Sequence, residues 1–167
     1  MAKAGYTAAT VVGQVTTPVV LSAGVARSVL GVLAPASFGL ELKKIRVGLY
    51  GVSASGVPGD IELCMATFAT FPPVAATTAD VTAVTPQQVY GKTIAPGFLA
   101  SMAWAATKEP TVLTVVDTFP LSPNGGLVLY DLPLGDSPDC VPGTGFVLRA
   151  KYAAAVNLSA CMWVERI

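Results

Sequence analysis

The stretch Gly145–Glu165, GFVLRAKYAAAVNLSACMWVE, constrains the fold more than any other part of the chain. In its first half Phe146, Leu148, Ala150 and Tyr152 alternate with Val147, Arg149 and Lys151. In its second half Val156, Leu158, Ala160, Met162 and Val164 alternate with Asn157, Ser159, Cys161 and Trp163. A strand sends successive side chains to opposite faces, so each half reads as a β-strand with one apolar and one mixed face. Arg149 and Lys151 are expected to face solvent or a partner. Trp163 shares its side with Asn157 and Ser159 and marks that mixed face as a second surface to be buried. These three residues are the candidate subunit contacts.

The same period recurs upstream. A strand is expected at about 25–33. In Leu40–Tyr50, Ile45, Val47 and Leu49 alternate with Arg46 and Gly48, while Leu40 and Leu42 are out of phase, which predicts a bulge near Lys43-Lys44. Gly51–Gly59 is rich in Gly, Ser and Pro and reads as a turn, and Asp60–Phe68 as a further strand, so Leu40–Phe68 reads as a hairpin. Val74–Gly97 is nearly uncharged and reads as a long loop holding a short strand at Gln87–Ile94. A loop of that length is usually functional or held by a partner. Phe98–Ala106 fits either strand or helix. Thr111–Phe119 and Leu127–Leu132 read as strands around the turn Ser122-Pro-Asn-Gly-Gly126, and Pro133–Gly145 as a loop. The pattern predicts an all-β fold: an antiparallel β-sandwich or jelly roll of about eight strands. Residues 25–167 form its single domain, preceded by an extended N-terminal arm over 1–24.

Composition narrows the function. Hydrophobic residues make up 53% of the 167 and charged residues 12%, against roughly 25% charged in ordinary soluble domains. So little charge covers a small domain poorly, and burial against other subunits accounts for the surplus. Ten basic and ten acidic residues cancel, so the chain lacks the positive field that nucleic acid requires. The one basic cluster, Lys43, Lys44 and Arg46, reads as a solvated strand face, with Lys43 and Arg46 on opposite sides of a regular strand. No uninterrupted apolar run of about 18 residues suggests a membrane helix. The N-terminus MAKAGYTAATVVGQVTT lacks the apolar region of a secretion signal. Cys64, Cys140 and Cys161 are far apart and odd in number, and read as buried free thiols in a reducing compartment.

The sequence offers little for catalysis. It contains no histidine, which removes the commonest general base and every His-dependent triad or metal site. Asp131, Asp136 and Asp139 lie close in sequence but match no calcium-loop spacing. Gly91-Lys92-Thr93 resembles the end of a phosphate-binding loop, but Pro86 stands where its first glycine is needed. Trp104 and Trp163 lie in apolar runs and read as core or interface residues rather than a sugar platform. No catalytic residue, cofactor or metal is expected, and the chain reads as a non-enzyme.

Glu109-Pro-Thr111, Pro123-Asn-Gly-Gly-Leu-Val128, Leu132-Pro-Leu-Gly135, Gly145-Phe-Val-Leu-Arg-Ala150, Ala155-Val-Asn-Leu-Ser-Ala160 and Glu165 follow one another in that order. With Leu40-Glu-Leu-Lys-Lys-Ile-Arg-Val-Gly-Leu-Tyr-Gly-Val-Ser-Ala-Ser55 upstream, this pattern resembles small structural proteins of tailed-bacteriophage virions. The resemblance spans the last third of the chain and one upstream segment, in turn and strand signatures. It implies a β-sandwich subunit made in the host cytoplasm and carried on the capsid surface. There it would act as a decoration (cement) protein that binds the major capsid protein and copies of itself, as a homotrimer or similar oligomer. A tail-associated receptor-binding module and a jelly-roll shell subunit are the alternatives.

Overall fold

In the computed structural model the described residues are 4–11, 19–50, 55–67, 81–110, 112–133 and 135–167. Val-, Leu- and Ile-rich alternation becomes strand almost throughout, because a half-buried pleated surface suits these side chains. In chain order the strands are β1 (Gly5–Ala9), β2 (Val19–Leu21), β3 (Arg27–Leu33), β4 (Leu40–Tyr50) and β5 (Gly59–Thr67). Then come β6 (Thr82–Val84), β7 (Gln87–Tyr90), β8 (Leu99–Met102), β9 (Val112–Leu121) and β10 (Leu127–Asp131). β11 (Asp139–Cys140), β12 (Gly145–Lys151) and β13 (Val156–Arg166) complete the set. The one helical element among the described residues is a short 3-10 turn at Ala106–Lys108.

The strands form two antiparallel sheets packed face to face, an all-β sandwich. One sheet runs β10-β4-β13-β1-β7, with β11 also on β4 and β2 also on β13. The other runs β6-β8-β3-β12-β5-β9. Between them lie Tyr6, Leu30, Leu42, Ile45, Phe98, Phe146, Leu148 and Met162, all buried in one cluster. Burial of a side chain of this size stabilises by about 1.5–3 kcal/mol relative to exposure. Tyr6 shows how a polar tip is kept satisfied there: its ring meets Phe98 edge-on at 5.6 Å and its hydroxyl donates to the Ile94 carbonyl at 2.9 Å.

The predicted bulge is present. Trp163 on β13 pairs with Lys44, but the next residue, Val164, pairs with Leu42, so the ladder skips Lys43. The extra residue resets the alternation and lets Leu40 and Leu42 share the core with Ile45 and Val47.

Four expectations change. The hairpin over 40–68 does not form, because β4 belongs to the seven-stranded sheet and β5 to the six-stranded one. Each strand has one apolar face, and a connection of this length lets the chain cross the core so that both faces meet. The arm over 1–24 is not free: its described residues supply β1 and β2, both paired with β13, and Tyr6 and Ala8 lie in the core. The described part of the 74–97 loop contains β6 and β7, which edge the chain's own two sheets; residues 74–80 lie outside the described set. Among the described residues thirteen strands replace about eight, since β2, β6 and β11 have too few residues to display an alternation and β1 fell in the expected arm; the short strand expected at Gln87–Ile94 is present as β7. The open segment 98–106 resolves into β8, after which Ala103 takes a left-handed φ of 57° and turns the chain back.

Candidate interaction surfaces

The three residues singled out in the sequence do not come together. On β13, Met162 and Val164 point into the core, so Trp163 points out from the seven-stranded sheet. On β12, Leu148 and Ala150 point into the core, so Arg149 and Lys151 point out from the six-stranded sheet. The last two strands lie in different sheets, and their mixed faces are the opposite outer surfaces of the sandwich. Arg149 is engaged within the chain, with Nη1 3.2 Å from a Glu62 oxygen on the neighbouring strand β5. Lys151 is exposed at the end of β12.

Around Trp163 the bulge builds a charged cluster. Lys43 and Arg46 would face opposite ways on a regular strand, but the extra residue puts both on the outer face, which corrects the expectation from their odd spacing. Lys43 pairs with Glu41 and lies 3.7 Å from a Glu165 oxygen. Lys44 pairs with Asp131 at 2.6 Å. Lys44 and Arg46 also approach the Trp163 ring, at 5.8 and 5.5 Å from its centroid, within cation–π range. Glu165 is only 7% exposed, and its other oxygen accepts a hydrogen bond from the Tyr90 hydroxyl of β7. Burial and the neighbouring carboxylate of Glu165 push the Tyr90 phenol up to about 12. Tyr90 reaches Glu165 by crossing β1 at Gly5, where a Cβ would overlap its ring. The result is an open groove of about 340 Å³ between the two rings, lined by Lys43, Lys44, Asp131 and Glu165. Its charges are paired within the chain, so the groove presents an indole and a phenol on a polar floor.

Sequence reading missed this cluster. The sequence pattern gave Glu165 no role, and Tyr90 lies 75 residues away from it. The only local signal was the bulge itself, which announced that Lys43 and Lys44 would break the alternation.

The second surface is the side of the sandwich where both sheets end. β9 terminates the six-stranded sheet and β10 the seven-stranded one. The turn at Ser122–Gly125, closed by a Gly125 N–H donating to the Ser122 carbonyl at 3.0 Å, joins them. Gly126 follows with φ +88°, which glycine adopts without strain. The Phe119 and Tyr130 rings meet across the gap at 6.3 Å. Along this side Leu127 is 62% exposed, Leu129 52%, Val115 52% and Val116 43%. Leu127 and Leu129 flank the core-packed Val128 and lie on the outer face of the seven-stranded sheet, whereas Val115, opposite Cys64, lies on the outer face of the six-stranded one.

The thiols of Cys64, Cys140 and Cys161 are free and buried, and burial raises all three, Cys64 and Cys161 to about 11. Among the described residues no group of three or more His, Cys, Asp or Glu is placed to hold a metal ion, and no helix is long and apolar enough to cross a membrane. Comparison with protein-family models, with curated proteins and with solved structures finds no match for this chain.

Proposed function

We propose that this protein is a structural virion subunit of a tailed bacteriophage, a head-decoration protein that stabilises the shell through protein contacts and not through chemistry. The observation that carries the contact-making role is the edge strand β10, which leaves Leu127 and Leu129 exposed on the outer face of the seven-stranded sheet. Burying such a surface against a partner removes apolar area from water at about 25 cal/mol per Å². The low charge supports the same reading, because an uncharged surface docks without desolvating ions. The phage setting comes from the resemblance in the last third of the chain.

Purified protein mixed with expanded heads of the phage that encodes it is expected to sediment with the heads and to add density to the outer shell in electron cryomicroscopy. Protein that stays at the top of the gradient would remove the decoration role.

A further inference from the structure

The strands that end the two sheets here, β9 and β10, differ in how they are guarded. Soluble sheets protect a free edge with proline, charge or a bulge, because unpaired N–H and C=O groups recruit further strands. β9 has such devices: Pro120 and Asp117 lie on it, and its ladder with β5 skips Val116. β10 has almost none. Its residues Leu127, Val128, Leu129 and Tyr130 carry no charge and no proline. Its ladder with β4 runs without a register shift from Leu127 to Asp131. The one acid, Asp131, is occupied by Lys44. Among the described residues β10 pairs with β4 alone, and no described strand takes its other edge.

We propose that this edge of β10 pairs antiparallel with β10 of a second copy of this chain, about a two-fold axis through Val128. This deepens the structural-subunit reading by naming the self-contact. An antiparallel strand pair is self-complementary about a two-fold axis, so one edge suffices for both partners. A register centred on Val128 sets Leu127 opposite Leu129 of the other copy and leaves Asp131 beyond the apolar pairs. Both leucines point outward, since Val128 between them packs on the core. The formal net charge of zero removes long-range repulsion between copies. The pairing joins the seven-stranded sheets of two copies into one. It closes as a dimer, where the resemblance implies a homotrimer or similar oligomer.

Sedimentation velocity on the full chain tests this. The native protein is expected at twice the 17.0 kDa chain mass. Leu129→Lys, at an exposed position, is expected to weaken dimerisation at least tenfold with an unchanged far-ultraviolet spectrum. A Leu127→Cys/Leu129→Cys protein is expected to form a chain-to-chain disulfide under mild oxidation, the native thiols being buried. A native monomer overturns the proposal, and so does a dimer that Leu129→Lys leaves intact and the cysteine pair fails to cross-link. A native monomer that decorates heads, and loses that binding with Leu129→Lys, overturns self-pairing and assigns the edge to the capsid protein. A β10-dependent dimer that ignores heads keeps the proposal and removes the decoration role.

Discussion

Each outer face of the sandwich has an aromatic ring laid over a strand glycine, but the two are held differently. On the six-stranded sheet Trp104 covers Gly31, where a Cβ would lie 2.8 Å from the indole and 3.1 Å from Val147. On the seven-stranded sheet Tyr90 covers Gly5. Trp104 is 3% exposed, behind the left-handed Ala103, whereas Tyr90 is 47% exposed and anchored by its hydroxyl on Glu165. Next to Trp104, Glu109 accepts hydrogen bonds from both the N–H and the hydroxyl of Ser28 and ties the following segment to β3. One ring is held by packing, the other by a charge-assisted hydrogen bond at the surface. The same device therefore builds a fixed wall on one side and a groove on the other.

The contrast can be broken at its strongest point first. Trp104→Ala empties a buried site and is expected to cost about 3–5 kcal/mol in denaturant unfolding. A loss below about 1 kcal/mol would mean that the indole is not held by packing. Gly31→Ala forces a methyl group into the same contact and is expected to cost about 1–3 kcal/mol, with the indole fluorescence changed because the ring must shift. Tyr90→Phe keeps the ring over Gly5 but removes the donor to Glu165, with an expected loss of about 1 kcal/mol. If this variant matched Trp104→Ala, the two faces would not differ in the way described.

The smallest effect separates the faces by pH. A phenol whose pKa is higher folded than unfolded adds stability below its ordinary value, and that stability is lost as pH rises through the folded value. Tyr90, pushed to about 12 from 10, makes pH 10–12 the window in which stability falls. Tyr152, raised to about 12 by burial and then by Asp60, contributes in the same window. Tyr90→Phe is expected to shallow the fall in unfolding midpoint across that range without abolishing it. An unchanged slope would show that neither burial nor Glu165 raises this phenol.

Some of this was legible in the residues. Leu40 and Leu42, out of phase with Ile45, Val47 and Leu49, announced the bulge, because both sets must reach one core. The alternation of Phe146–Tyr152 and Val156–Val164 announced two half-buried strands. The candidate site was legible only in parts: Trp163 does point outward, but Arg149 and Lys151 lie on the other side of the molecule. Glu165, Tyr90 and Gly5 carried no local signal at all. A residue's face follows from its neighbours in sequence, whereas its partners follow from which strands pair.

The sequence by itself therefore determined that this is a β protein of antiparallel strands, where its bulge falls, and that its thiols are hydrophobes. Local steric preference and the two-residue period suffice for that. Only the tertiary structure decided that β4 and β5 part to opposite sheets, that the N-terminal segment is built into the seven-stranded sheet, and that β9 and β10 end side by side. These depend on how apolar faces from distant segments meet in one core, and a single strand leaves that pairing open. The terminal strand pair shows both: its alternation was readable at once, and its separation into two sheets was not.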